Sequence, residues 1–195
     1  ITIATTNTAS TNCQPAGAPN GEIVSDVWVD LNGNGARDAG EDAAGLFSYQ
    51  WYTGTDTSTP IAGEVNATLS NVQGGAGMNY TVEVTHLASG CTQQYTTLLN
   101  DASELPIVTL VSTPNVGCAP GMYTGTATAT ITYKGVDVTG DPAYTFTYDW
   151  TGPSGYTSID PLTVIDLESG NYDLIVTETT LGCTSLPGST TVIDD

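Results

Sequence analysis

Asn171-Tyr172-Asp173-Leu174-Ile175-Val176-Thr177, followed by Gly182-Cys183-Thr184, decides the fold because the chain carries the pattern twice. The earlier copy is Asn79-Tyr80-Thr81-Val82-Glu83-Val84-Thr85, followed by Gly90-Cys91-Thr92, and tyrosine precedes cysteine by 11 positions in each (80 to 91, 172 to 183). Apolar residues alternate along both runs, and β-branched and aromatic side chains dominate, which is strand chemistry. Outward from these runs the match continues. Phe47-Ser48-Tyr49-Gln50-Trp51 stands against Phe146-Thr147-Tyr148-Asp149-Trp150, and Ile1-Thr2-Ile3-Ala4 reaching Cys13 stands against Ile107-Val108-Thr109-Leu110 reaching Cys118. The endings pair as well, Tyr95-Thr96-Thr97-Leu98-Leu99-Asn100-Asp101 with Ser189-Thr190-Thr191-Val192-Ile193-Asp194-Asp195. Ordered agreement over this many positions marks an internal duplication.

The duplication predicts two domains, 1–103 and 104–195, joined near Ala102-Ser103-Glu104. Short strands punctuated by Gly, Pro, Asn and Asp predict an all-β chain of two tandem Ig-like β-sandwiches. Thr124-Gly125-Thr126-Ala127-Thr128-Ala129-Thr130-Ile131-Thr132-Tyr133 is an alternating strand, and Trp51 and Trp150, at the same repeat position, are expected in the two cores. A helix is hard to place, since Thr and Gly are everywhere and long apolar or basic stretches are missing. The short junction predicts limited interdomain freedom.

Four cysteines, two per repeat at equivalent places, predict one disulfide in each domain, Cys13–Cys91 and Cys118–Cys183. Zinc competes for these residues, but there is no C-x2-C pair and only one histidine. Disulfides place the protein in an oxidising compartment, extracellular or at a cell surface.

The halves differ in the middle. Only the first contains Asp30-Leu31-Asn32-Gly33-Asn34-Gly35-Ala36-Arg37-Asp38-Ala39-Gly40-Glu41, which satisfies D-x-[DN]-x-[DN]-G-x5-E throughout. Calcium takes six to eight oxygens, and this spacing turns successive oxygens inward. Asp30, Asn32 and Asn34 supply side chains in this reading, Ala36 its carbonyl, Asp38 a direct or water-bridged oxygen, and Glu41 both oxygens. A solvated turn rich in Gly and Asn is the plainer alternative. The flanks, Glu22–Val29 and Gly45–Tyr52, read as strands rather than helices, so the ion would pin a loop and not work a helix switch. The corresponding stretch of the second half, Tyr133 to Asp141, reads as a plain hairpin with too few oxygens. A weaker calcium position is Asp101 with Glu104 at the junction.

The run Val27 to Gly35, with Asp38, Gly40-Glu41 and Gly45-Leu46, resembles the calcium-binding B-type repeats of bacterial serine-aspartate adhesins over residues 21–48. The resemblance implies an Ig-like domain of a calcium-stiffened stalk, with Asp30, Asn32, Asn34, Asp38 and Glu41 as ligands. The last two-thirds of each half resemble the extracellular repeats of Bacteroidetes surface proteins, including the gliding-motility adhesins. The matching positions are Trp51, Leu69, Tyr80, Val84, Thr85 and Cys91, and then Tyr148, Trp150, Leu167, Gly170, Tyr172, Val176, Thr177 and Cys183.

A formal charge of −19, with Lys134 and Arg37 the only basic residues besides His86, argues against nucleic acid and anionic membrane surfaces. No apolar run has the length of a membrane-spanning helix. An enzyme is hard to assemble. His86 is the sole histidine and reads as a turn residue, and Gly152-Pro153-Ser154-Gly155 is a turn, not a nucleophile elbow. Trp28, unmatched in the second half, reads as an exposed aromatic available to a ligand, which gives an alternative function as a calcium-dependent carbohydrate-binding module. The favoured expectation is a structural or adhesive repeat pair, a stalk or fibre subunit of a secreted or surface-attached bacterial protein. Its partners would be neighbouring repeats or identical subunits end to end, by strand donation for instance, with surface glycans or proteins as targets. Joining Asp195 to Ile1 keeps the repeat register, as a tandem array or a polymerising subunit would.

Overall fold

A computed structural model describes residues 1–13, 18–41, 46–117, 119 and 121–195. Cys118 and Gly45, both named above, lie outside the described residues. Contacts divide the chain into two units, the first of Ile1–Thr11 with Pro19–Ala102 and the second of Ser103–Asp195 with Asn12–Ala18. The duplication assigned 12–18 to the first half; the structure groups that segment with the second.

The first unit is built from β1 (Thr2–Thr8), β2 (Gly21–Trp28), β3 (Phe47–Thr53), β4 (Thr68–Val72), β5 (Asn79–His86) and β6 (Thr92–Leu98). Its sheets are β1-β2-β4 and β3-β5-β6, with every pairing antiparallel. The second unit comprises β7 (Ile107–Thr113), β8 (Gly125–Tyr133), β9 (Val136–Asp137), β10 (Phe146–Thr151), β11 (Thr157–Ser158), β12 (Thr163–Leu167), β13 (Gly170–Glu178), β14 (Cys183–Thr184) and β15 (Gly188–Val192). Its sheets run β12-β8-β7, with β9 on β8, and β11-β10-β13-β14, with β15 also on β13. In the first unit β1, β2 and β4 form one sheet and β3, β5 and β6 the other; in the second unit β7, β8 and β12 correspond to the former and β10, β13 and the pair β14 and β15 to the latter. This A-B-E and C-F-G arrangement is that of Ig-like sandwiches, so the expected fold class is the observed one. Among the described residues the only helical turn is 3-10, at Pro153–Gly155, where a turn was expected.

Period-two burial explains why these residues form strands. In β13 Tyr172, Leu174 and Val176 face inward, and in β5 Tyr80, Val82 and Val84 do the same. Alternation is cleanest in β8, where Ala127, Ala129, Ile131 and Tyr133 are buried between exposed or half-buried threonines. Trp51 and Trp150 are both 0% exposed, one in each core. Each indole N–H meets a backbone carbonyl, Trp51 donating to Asn66 and Trp150 to Asp160, both at 2.9 Å. A buried indole thus keeps its single donor satisfied. Close approach also demands glycine at the start of the second strand of each unit. A Cβ at Gly21 would come within 2.6 Å of the Val72 carbonyl, and at Gly125 within 2.6 Å of the Leu167 carbonyl.

The cysteines pair differently from the expectation. Cys13 bonds Cys183, with the Cα atoms 4.9 Å apart and the two residues 170 positions apart in sequence, while Cys91 is free and exposed. The predicted Cys13–Cys91 and Cys118–Cys183 bridges are therefore both overturned. The Cys13 N–H donates to the Leu181 carbonyl at 2.8 Å, which holds Cys13 beside the β13–β14 hairpin and brings its sulfur to that of Cys183.

Candidate functional site

The loop between β2 and β3 carries the predicted metal ligands, and its backbone explains its form. Asp30 accepts from the N–H groups of Gly33 through Oδ1 (2.6 Å) and Gly35 through Oδ2 (2.8 Å). Asn32 Oδ1 accepts from Asn34 N–H (3.0 Å) and Asn34 Oδ1 from Ala36 N–H (2.7 Å). Gly33 and Gly35 take positive φ of 74° and 76°, which lets the chain curl around these oxygens. These donated hydrogen bonds, that of Gly35 foremost, hold the Asp30 carboxyl below its ordinary value of 3.8, against a smaller opposing effect of burial.

Asn32, Asn34 and Asp38 come together. Both amide nitrogens donate to Asp38 Oδ2 at 2.7 Å. Glu41 is placed differently. It is 5% exposed and latches the two ends of the loop, Oε1 accepting from Leu31 N–H and Oε2 from Asp38 N–H, both at 2.9 Å. Among the described residues, no three His, Cys, Asp or Glu side chains gather closely enough to hold a metal ion by themselves. The donor set is nonetheless all oxygen, and carbonyl and carboxylate oxygens keep a second lone pair after accepting one hydrogen bond. In donor chemistry the loop fits a hard cation.

Trp28 is not the exposed aromatic that its sequence position implied. It is 7% exposed, and its indole N–H donates to the Ala36 carbonyl at 3.1 Å. It anchors the loop to the end of β2 and presents no open ring face to a sugar. Arg37 adds a second anchor, its guanidinium 2.6 Å from Asp26 Oδ1 on β2. With both side chains substantially solvated, this pair contributes at most about 1 kcal/mol. Neither anchor was read from the sequence. The legible cue was that Asp26 and Trp28 share strand β2, which the loop leaves.

Glu41→Ala is expected to cost about 3 kcal/mol through its two charge-assisted hydrogen bonds and to open the loop. Limited proteolysis and amide exchange at Leu31 and Asp38 would register this, and unchanged protection at both amides would refute the latch.

The remaining sequence candidates have ordinary settings. His86 ends β5, with Nδ1 2.8 Å from Ser89 Oγ in the same hairpin and its ring against Phe47. Lys134 stands in the tight turn between β8 and β9 with φ of 52°, its ammonium 5.2 Å from the Tyr133 ring centroid. That hairpin is what the sequence predicted for the second half.

No protein-family model and no curated protein sequence matches the chain. Among solved structures it is similar to the three N-terminal domains of the bacteriophage RB49 Highly Immunogenic Outer Capsid protein (Hoc). The TM-score is 0.46 at 15% identity, covering 98% of this chain and 58% of that one. The chain thus spans less than two thirds of the length of that structure.

Proposed function

We propose that the chain is a structural repeat pair of a secreted or cell-surface bacterial protein, a calcium- and disulfide-stabilised stalk or extracellular fibre subunit. The carrying observation is the covalently closed sandwich: Cys13–Cys183 lies within the second of two all-β units and links residues 170 positions apart. A covalent clamp within a β-sandwich suits a repeat that must stay folded under load. The bond also belongs to an oxidising compartment. The two resemblances to surface adhesins point the same way. The reading is non-enzymatic, with neighbouring repeats or identical subunits as the main partners.

Calcium would be held by Asp30, Asn32, Asn34, the Ala36 carbonyl and Asp38, with Glu41 closing the loop. It would add a hard positive centre that keeps the carboxylates together and stiffens the β2–β3 connection. Calcium at a hundredfold excess over its Kd is expected to stabilise the first unit by about 2.7 kcal/mol, and Asp30→Ala to remove most of that gain. Calorimetry with calcium and with chelator reads this directly; identical melting in both removes the ion from the proposal. Electron microscopy under the same two conditions tests the larger reading, with filaments or extended tandem particles expected. A glycan array positive in calcium and blank in chelator would overturn it in favour of a carbohydrate-binding module.

A further inference from the structure

We propose that the second unit binds a small organic cation bearing a quaternary ammonium group, in a recess walled by tyrosine rings and two carboxylates. The recess has a volume of about 230 Å³ and is lined by Tyr123, Tyr156 and Tyr172, by Asp166 and Glu168, and by the turn at Pro153–Gly155. All of these residues belong to the second unit. A concave site with aromatic walls and a few placed polar groups is the usual form of a small-ligand pocket.

Local structure builds these walls. Gly152 lets the 3-10 turn settle on β13, since a Cβ there would lie 2.5 Å from the Tyr172 ring. The turn then delivers Tyr156 to Tyr172, with ring centroids 5.4 Å apart and planes at 79°. Tyr172 is 1% exposed, and its hydroxyl donates to the Glu168 carbonyl at 3.1 Å, which ties the backbone of Glu168 to the rings. On the other side, β12 slips its register on β8 between Val164 and Leu167, and Asp166 takes φ of 57° there. The slip keeps both Val164 and Leu167 in the core and leaves Asp166 exposed at the recess.

Charge and wall chemistry select the ligand. Neither the Asp166 nor the Glu168 carboxylate has a hydrogen-bond or ion-pair partner among the described residues, although Glu168 is half-buried. Lys134 is the sole basic residue of the second unit's sequence. It follows the far end of β8, whereas the recess adjoins the near end, where Leu167 pairs Gly125. Eight residues of strand put roughly 26 Å between the two ends, so nothing on this unit offsets the acids. Burial first, and then the charges of Glu168, Tyr156 and Tyr123, push the Tyr172 phenol above its ordinary 10.0, as expected where these groups share one recess. A bare metal ion is poorly served, because no three acidic side chains among the described residues gather to hold one. A primary ammonium would bring N–H donors that ring walls leave unpaired. A quaternary ammonium has no such donors and is drawn by the rings and the carboxylates together.

The test titrates the full chain with tetramethylammonium chloride, with sodium chloride holding the ionic strength constant, and follows ligand methyl and protein tyrosine resonances by NMR. The expected result is a saturable upfield shift of the methyl signal from ring currents, with affinity at least about threefold above that of methylammonium. Tyr123→Leu and Glu168→Gln are each expected to weaken binding by about two- to fivefold. Tyr123→Phe keeps the ring and is expected to bind like the parent, which separates loss of the wall from loss of the fold. Choline is expected to bind more tightly than phosphocholine, whose phosphate meets the same carboxylates; that order identifies a free cation as the ligand rather than a lipid headgroup. The proposal is overturned by a shift that does not saturate, by methylammonium or phosphocholine binding as well as its quaternary counterpart, or by parent affinity in both Tyr123→Leu and Glu168→Gln.

Discussion

Trp150→Ala is expected to destabilise the second unit by about 3–5 kcal/mol, and Trp51→Ala the first unit by a similar amount. Both side chains are 0% exposed and stand on corresponding strands, β3 and β10, within the cores of their sandwiches. Truncation removes the largest buried surface in each core and leaves a void that packed neighbours fill only in part. It also strands the carbonyl that each indole satisfies, at Asp160 and Asn66. Since a domain of this size holds roughly 5–15 kcal/mol in total, either change brings its unit close to unfolding. Trp→Phe separates the contributions, because it keeps most of the ring and loses the hydrogen bond. Denaturant titration with a probe in each unit checks the assignment. A loss below about 1 kcal/mol at either site would contradict the packing described here.

Reduction of Cys13–Cys183, or Cys13→Ser, is expected to cost the second unit about 2–4 kcal/mol. The chain closed by this bond is long, with the cysteines 170 positions apart. The entropy saved is nevertheless below the value for a fully flexible loop of that length, because about half of the intervening residues belong to the separately folded first unit. For a domain of roughly 100 residues the loss corresponds to a melting shift on the order of 10–25 °C. Cys91→Ser supplies the contrast. It is exposed and free in this chain, so the substitution is expected to stay within about 0.5 kcal/mol of the parent. Equal destabilisation by Cys13→Ser and Cys91→Ser would restore the pairing predicted from the duplication and refute the one described here.

Those two predictions also separate what was legible from what was not. The tryptophans could be placed from the sequence because each recurs at one repeat position, within an alternating strand that has only one face to bury. The same logic placed Tyr172, Leu174 and Val176 on the inner face of β13 and located the hairpin at Lys134-Gly135. Period-two alternation is a local property, and a sandwich core is the sum of such local choices. Loop oxygens were legible in the same way, since Asp30, Asn32 and Asn34 are arranged by turns of two to five residues.

Contacts between distant segments were not legible. Trp28 was expected at the surface because it has no counterpart in the second half and adjoins the acidic loop, and its partner is the Ala36 carbonyl within that loop. Glu41 was read as closing a metal site, but its carboxylate latches two backbone amides that the fold brings to it. Cysteine pairing is the clearest case. By itself the sequence determined that there are two equivalent all-β units, which strand faces are buried, and which cysteines are equivalent to one another. Only the tertiary structure decided which cysteines meet. A disulfide forms where two Cα atoms come within about 4.4–6.8 Å, and which distant residues come that close is set by packing and backbone hydrogen bonds that no local pattern encodes.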